Sequence, residues 1–477
     1  MTGCFAPSAG SEGGDGGKRI RVAMMQPPRS GLSPLSDDAF KLSRWSAAET
    51  LVRLDADGDP QPLLATKWTQ NDRTWTFTLR KGVTFHDGTA LTPRAVVRSL
   101  ERAAGASPKP RILDGVRLSA KAVGDKVEIT TSQTDPLVPH RLSSPQLSIL
   151  AAKAYHTKAV DPVGAGTGPF VISKVNGTAS AALDRYDAYW GGPAKAPGID
   201  VKFVPDGTAR AAALRSGEAD IVEAVPVAQA SLLEKNQITE VPMPRTNTLY
   251  LNTTSGPFRQ ASLRAAAREA LDTEALVRGV YEGRADRADG LLGPALPWAA
   301  QLRDTAEGRA EAADPDGAKI TIGTFTDRAE LPEAAALLQQ QLEKAGFEVE
   351  LDVREYSAIE SDALEGKFDA FVLSRATVLD SGDPAAYLYS DFASDGSFNI
   401  SQLGDKGVDS ALRAAAAAPA GEERREKVMA AEEAVLGTDA ALPLLHERVV
   451  QGDAVGVVGS VKDPRERELV TRSTYIK

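Results

Sequence analysis

Along this chain the apolar residues keep changing their period, and each change marks an element. Trp75, Phe77 and Leu79 alternate with Thr74, Thr76 and Thr78, the period-two pattern of a strand with one buried face. Asn71-Asp72 before it and His86-Asp87-Gly88 after it carry turn chemistry. Thr92 then stands as an N-cap, Pro93 takes the first helical position, and Val96, Val97 and Leu100 make an apolar stripe. Residues 19–25 (RIRVAMM) read as the first strand, and 126–131 (KVEITT) alternate like another. Between 199 and 222 come a strand (IDVKFVP), a helix capped by Asp206 and stopped at Gly217, and a strand opening ADIV. That βαβ spacing predicts a parallel pair. Residues 248–283 supply a strand (TLYLNT), a Gly256-Pro257-Phe258 turn and a helix. After a polar excursion at 299–318, a second βαβ pattern follows. It has a strand at 319–325, a helix with Leu337, Leu338 and Leu342 on one face, a stop at Gly346, and alternating Phe347, Val349, Leu351 and Val353. Residues 367–373 (KFDAFVL) read as a buried strand, 411–420 and 422–436 as helices, and 442–459 as terminal strands. Two βαβ regions so far apart predict two α/β lobes.

Composition agrees and narrows the function. At 477 residues the chain exceeds one ordinary core. A hydrophobic share of 42% beside 25% charged residues is that of a soluble globular protein. The net charge of −10, with no basic tract, argues against nucleic acid as a partner. No run of 18 apolar residues offers a membrane span. Cys4 is the one cysteine, which excludes an internal disulfide, and the Gly/Ser/Pro-rich stretch after it reads as a tether. Four histidines (His86, His140, His156, His446) form no H-E-x-x-H, and neither a G-x-S-x-G elbow nor a phosphate-binding glycine loop occurs. Arg264 and Asp272 read as the solvated face of a helix. A hydrolase built on two of the 65 acidic residues stays open as an alternative.

The order of residues adds a resemblance. The run from Trp68 to Thr92, W-x-x-N-D-x-T-W-T-F-x-L-R-K-G-V-x-F-H-D-G-x-x-L-T, resembles the signature segment of the family 5 extracellular solute-binding proteins. That family delivers peptides, nickel chelates and some sugars to ABC importers. Gly166-Thr167-Gly168-Pro169-Phe170, residues 186–192 (YDAYWGG), 216–221 (SGEADI), and Leu263, Arg264, Ala270, Leu271 and Asp272 match further segments of its pattern, over about 51–453 in all. The first two look architectural.

The resemblance implies a two-lobed α/β fold of the periplasmic-binding-protein type II (cluster C-like) with a hinge between lobes. Residues 1–18 would be a lipoprotein tether and 19–246 lobe I, to which 447–477 return, with 247–446 as lobe II. Thr2-Gly3-Cys4 would be the end of a lipobox, Cys4 the lipidated residue and Met1 an internal position rather than the true start. No catalysis and no cofactor are implied. The protein would be an extracytoplasmic, lipid-anchored monomer whose partners are a small-molecule or peptide ligand and the permease subunits. The ligand segment would be 374–399, just beyond a buried strand. There Asp380-Ser381-Gly382-Asp383-Pro384 resembles D-x-x-[DE]-P, whose first aspartate pairs with a peptide's α-ammonium group; by composition alone the same residues make a surface turn. Asp380, Arg375, Ser381 and Asn399 are the candidates on this segment, with Arg29 and Ser30 on the loop after the first strand. The chain departs from the family at 376–379, where a tryptophan is absent, and at 143–150 (SSPQLSIL), where nickel-chelate binders carry an arginine. Short peptides are therefore the first expected ligand, metal chelates the second and oligosaccharides the third.

Overall fold

Two long strands, Ile238–Leu251 and Ala441–Asp453, cross the whole molecule side by side and antiparallel, and everything else is arranged about them. The computed structural model describes residues 17–113, 116–156, 159–328, 330–378 and 381–477. Cys4, the tether up to residue 16, and Asp380 lie outside the described residues.

The crossing strands sit in the middle of one large mixed sheet. On one flank Ile238–Leu251 pairs with Ala370–Ala376, followed by Lys319–Phe325 and Glu348–Arg354. On the other, Ala441–Asp453 pairs with Ile221–Val225, followed by Ile20–Met24, Gly198–Phe203, Ser180–Arg185 and Phe170–Asn176. Each crossing strand thus changes its neighbours along its length. Their mutual register slips between Pro242 and Thr246, where the flank on one side ends and the other begins. A bulge of this kind bends a strand and loosens the ladder locally, which is what a hinge between two bodies needs.

The apolar side chains divide in the same way. One core gathers buried residues from Leu249 to Leu445, a second those from Ile20 to Phe203 with Ile221, Leu469 and Val470, and a small third lies around Leu214 and Val222. The fold is a two-lobed α/β one, as the resemblance implied. A separate four-stranded antiparallel sheet is attached to the second core, in the order Ala65–Asn71, Thr74–Leu79, Lys126–Thr131, Leu118–Val123.

Most elements follow the hydrophobic pattern. Thr92 Oγ1 caps the helix Pro93–Ala104 by accepting from Ala95 N at 3.2 Å, and Asp206 caps Gly207–Arg215. The pair Lys319–Phe325 and Glu348–Arg354 is parallel and adjacent, as its βαβ spacing requires. The first βαβ unit differs. Its strands Gly198–Phe203 and Ile221–Val225 do not pair with each other, because Ile20–Met24 is inserted between them, parallel to both. Periodicity sets the direction of a crossover but not what enters the gap. Arg264 departs from the solvated face expected of it: it is 9% exposed, and its guanidinium donates to Thr438 O at 2.8 Å and Phe258 O at 2.7 Å.

The two glycine-rich family segments are architectural for a visible reason. A Cβ at Gly166 or Gly168 would overlap the backbone carbonyls of Ala47 and Ser46. His86 clamps the same turn, its N–H donating to Gly166 O at 2.9 Å and its Nε2 lying 2.9 Å from Gly168 O. Tyr189 and Trp190 of the YDAYWGG segment donate to the buried Glu49 carboxylate at 2.8 and 3.0 Å. Burial still pushes that carboxyl above its usual range.

Candidate functional site

The strand Ala370–Ala376 points its carboxyl end at the seam between the two main cores, and residues 381–384 of the D-S-G-D-P motif lie there. Opposite lies the turn Asp55–Asp59 that joins two short strands of the other lobe. The contact is close: a Cβ on Gly382 would overlap Leu54, and one on Gly58 would stand 3.0 Å from Gly382 O. Both glycines have positive φ, 71° and 87°, so the two turns meet backbone to backbone. Trp298 Nε1 donates across the seam to Asp57 O at 3.2 Å, and Arg425 pairs with Asp59 at 2.5 Å. Beside these contacts, Asp57, Asp59, His140, Trp298, Asp383 and Arg424 line a cavity of about 20 Å³, room for roughly one water.

Within the segment, the second aspartate is already committed. Asp383 forms a buried ion pair with Arg424, whose Nη2 donates to Oδ1 at 3.0 Å, and accepts from Ala385 N at 2.9 Å, which anchors the helix Ala385–Phe392. Ser381, 9% exposed, has its Oγ engaged by Asp383 N at 3.2 Å. Arg375 holds Asp391 in a two-point fork at 2.7 and 2.8 Å and lies 4.0 Å from the Phe398 ring centroid. Asp391 is fully buried, and desolvation raises its pKa even against this partner. Asn399 donates to Ala393 O and Leu403 O and accepts from Leu403 N, which ties its own loop. Arg29 and Ser30 belong to a separate nest: both N–H groups and Ser30 Oγ donate to Asp38, at 2.7–3.1 Å, and Lys41 completes the shell. Burial works to raise the Asp38 pKa, but these donors carry it below the ordinary value. Among the described residues no hydrogen bond or ion pair joins this nest to the 375–399 segment.

What sequence reading did not single out lies on the crossing strands. Arg245 and Asn247 occupy the slipped stretch of Ile238–Leu251, with Ala376 and Ser374 as their cross-strand partners. Glu447, from the second crossing strand, accepts from Ser374 Oγ at 2.5 Å and pairs with Arg328 at 2.8 Å. The available signal was an arginine inside a strand, PRTNTLYL, otherwise made for burial.

The chain can now be set beside known proteins. The model of the bacterial extracellular solute-binding proteins, family 5 (middle), matches residues 59–399. The glutathione-binding protein GsiB of Salmonella paratyphi A is 28% identical over 437 residues, 86% of this chain and 85% of that protein. The nickel-binding protein NikA of Staphylococcus aureus is 27% identical over 407 residues, 82% and 81% of the two chains. The crystal structure of a nickel ABC transporter from Bacillus halodurans superposes with a TM-score of 0.83 at 26% identity, over 96% of this chain and all of that one. With the family match covering well over half its length, and with two cores hinged on a pair of crossing strands, the chain belongs to the family 5 bacterial extracellular solute-binding proteins.

Proposed function

We propose that the protein captures short peptides outside the cytoplasm by closing its lobes, hands them to an ABC permease, and performs no chemistry on them. The observation that carries this reading is the seam itself, where residues 381–384 of the D-S-G-D-P motif face the other lobe with Gly382 against Gly58. In such a place a ligand touches both lobes at once, and affinity for the closed form drives closure. The relative named for binding glutathione, itself a short peptide, supports the ligand class. Asp380 is proposed to meet the peptide's ammonium group, with Arg375, Ser381, Asn399, Arg29 and Ser30 as further residues bordering the ligand. The lobe limits of 19–246 with 447–477, and 247–446, and a lipid anchor at Cys4, belong to the same proposal. A nickel-chelate ligand is the second reading, favoured by the similarity to NikA.

Thermal-shift screening with tripeptides, nickel chelates and oligosaccharides tests it. A tripeptide should raise the melting temperature and be recovered intact. Asp380→Asn should weaken its binding roughly 30-fold or more, since removing one partner of a desolvated pair costs about 2–5 kcal/mol. Recovery of cleaved peptide would instead favour the carboxylate hydrolase. Equal binding of free and N-acetylated peptide would remove Asp380 from the site.

A further inference from the structure

Among the described residues, Arg245 stands apart from every other cation. Among the described residues, each other arginine or lysine that is not surface-exposed has a hydrogen bond, an ion pair or a ring contact; the Arg245 side chain has none. It lies at the register slip of the two crossing strands, where both lobes meet. Desolvation lowers its pKa, and the neighbouring Arg328 adds to that, against the pull of Glu447 and Glu466.

Among the described residues, the two carboxylates acting on it are both engaged elsewhere: Glu447 has Arg328 and Ser374, and Glu466 has Arg44 at 3.7 Å. A half-buried guanidinium without a counter-ion is costly unless water or a ligand supplies partners. A second orphan adjoins it. Asn247 is fully buried and its Nδ2 donates to Tyr281 Oη at 2.5 Å, yet its Oδ1 has no hydrogen-bond partner. Arg245 and Asn247 are two residues apart on one strand, so they share a face at about 7 Å spacing. The face therefore offers an unmet cation and an unmet acceptor side by side.

We propose that Arg245 is a ligand-binding residue that receives a carboxylate, and that Asn247 accepts an N–H from the same ligand. A planar guanidinium takes a carboxylate in a two-point fork, which also orients it. A carboxylate with an amide N–H a few bonds away is the chemistry of a peptide's C-terminal end. The inference deepens the solute-binding reading and rests on it, but it requires only an anionic ligand and not a peptide.

The test is calorimetric titration of the full chain with trialanine, trialanine amide, Ni(L-His)₂ and maltotriose. Trialanine should bind the wild type, and Arg245→Gln should weaken it roughly 30-fold or more. Amidating the peptide should do similar damage to the wild type and little more to the variant. The ligand-free Arg245→Gln protein should melt no lower than wild type, because it loses an unpaired, half-buried charge; a structural role for Arg245 would lower it. Binding of Ni(L-His)₂ alone, lost in Arg245→Gln, would end the peptide reading and uphold this one. Unchanged affinity in Arg245→Gln, or binding of maltotriose alone or of no probe, would overturn the assignment.

Discussion

At the scale of single residues, burial rather than charge pairing sets the titration of His86, His140 and His446. Desolvation lowers both His86 and His446 to a pKa of about 4, against an ordinary 6.5. The unfolded chain therefore binds more protons than the folded one between these values. The stability at stake is fully present above pH 6.5 and is lost as pH falls toward 4, by on the order of 3 kcal/mol for each ring. Denaturant titrations of wild type and of His86→Gln/His446→Gln across pH 4–7 would check this. The acid-side loss should shrink by more than half in the double variant, with His140, also lowered by burial, supplying a remainder. An unchanged pH slope would mean that neither ring titrates in this window. Neither ring hydrogen-bonds to the facing turns at 55–59 and 381–384: His86 clamps the Gly166–Gly168 turn, and His446 Nδ1 lies 2.9 Å from Thr246 Oγ1 on the neighbouring crossing strand. The predicted loss is of folding, and ligand affinity at pH 6 should hold.

At the scale of elements, glycines and ion pairs decide where backbones may meet. Gly168→Ala would drive a methyl into Ser46 O, and relief demands backbone movement in a buried turn. A loss of about 3 kcal/mol or more in a chemical denaturation curve is expected, against under about 0.5 kcal/mol for a surface glycine with open space such as Gly279→Ala. Arg424→Met should cost about 3–5 kcal/mol by leaving Asp383 buried and unpaired, and Arg424→Met/Asp383→Leu should recover much of it. A double variant no better than the single would show that the pair also holds the helix Ala385–Phe392 through Ala385 N. These elements also mark how far sequence could be read. Thr74–Leu79, the Thr92 cap and the Asp206 cap were legible because period and capping act within a few residues. Insertion of Ile20–Met24 between the strands of the first βαβ unit was not, since its pairing spans about two hundred residues that no local pattern encodes. For the site, the D-S-G-D-P segment was visible as a motif. The commitment of Asp383 to Arg424, and the isolation of Arg245, depend on who stands opposite, which only the folded chain decides.

At the scale of the whole molecule, the question is what holds the lobes as they stand. Among the described residues, the seam contacts outside the crossing strands are modest. Trp298 gives one hydrogen bond to Asp57 O, Arg425 one partly exposed ion pair with Asp59, and Gly58 and Gly382 a close backbone approach. A neutral hydrogen bond contributes about 0.5–1.5 kcal/mol and a partly exposed ion pair about 0–1. Trp298→Phe/Arg425→Gln therefore removes roughly 1–2 kcal/mol from the closed arrangement, which shifts the closed-to-open ratio by about 5- to 30-fold. The aromatic ring is kept because Trp298 is 7% exposed and belongs to the larger core, so its loss would damage folding rather than closure. Opening about the register slip at 242–246 needs no break in either core, since each half of the crossing strands keeps its own flank. Small-angle scattering of the ligand-free double variant should then give a larger radius of gyration than wild type, and a saturating ligand should bring the two together. Apparent affinity should fall by the fraction of molecules left open, because only the closed form makes the full set of contacts. Identical scattering of the two free proteins, with affinity unchanged, would place the hold on the lobes in the crossing strands alone.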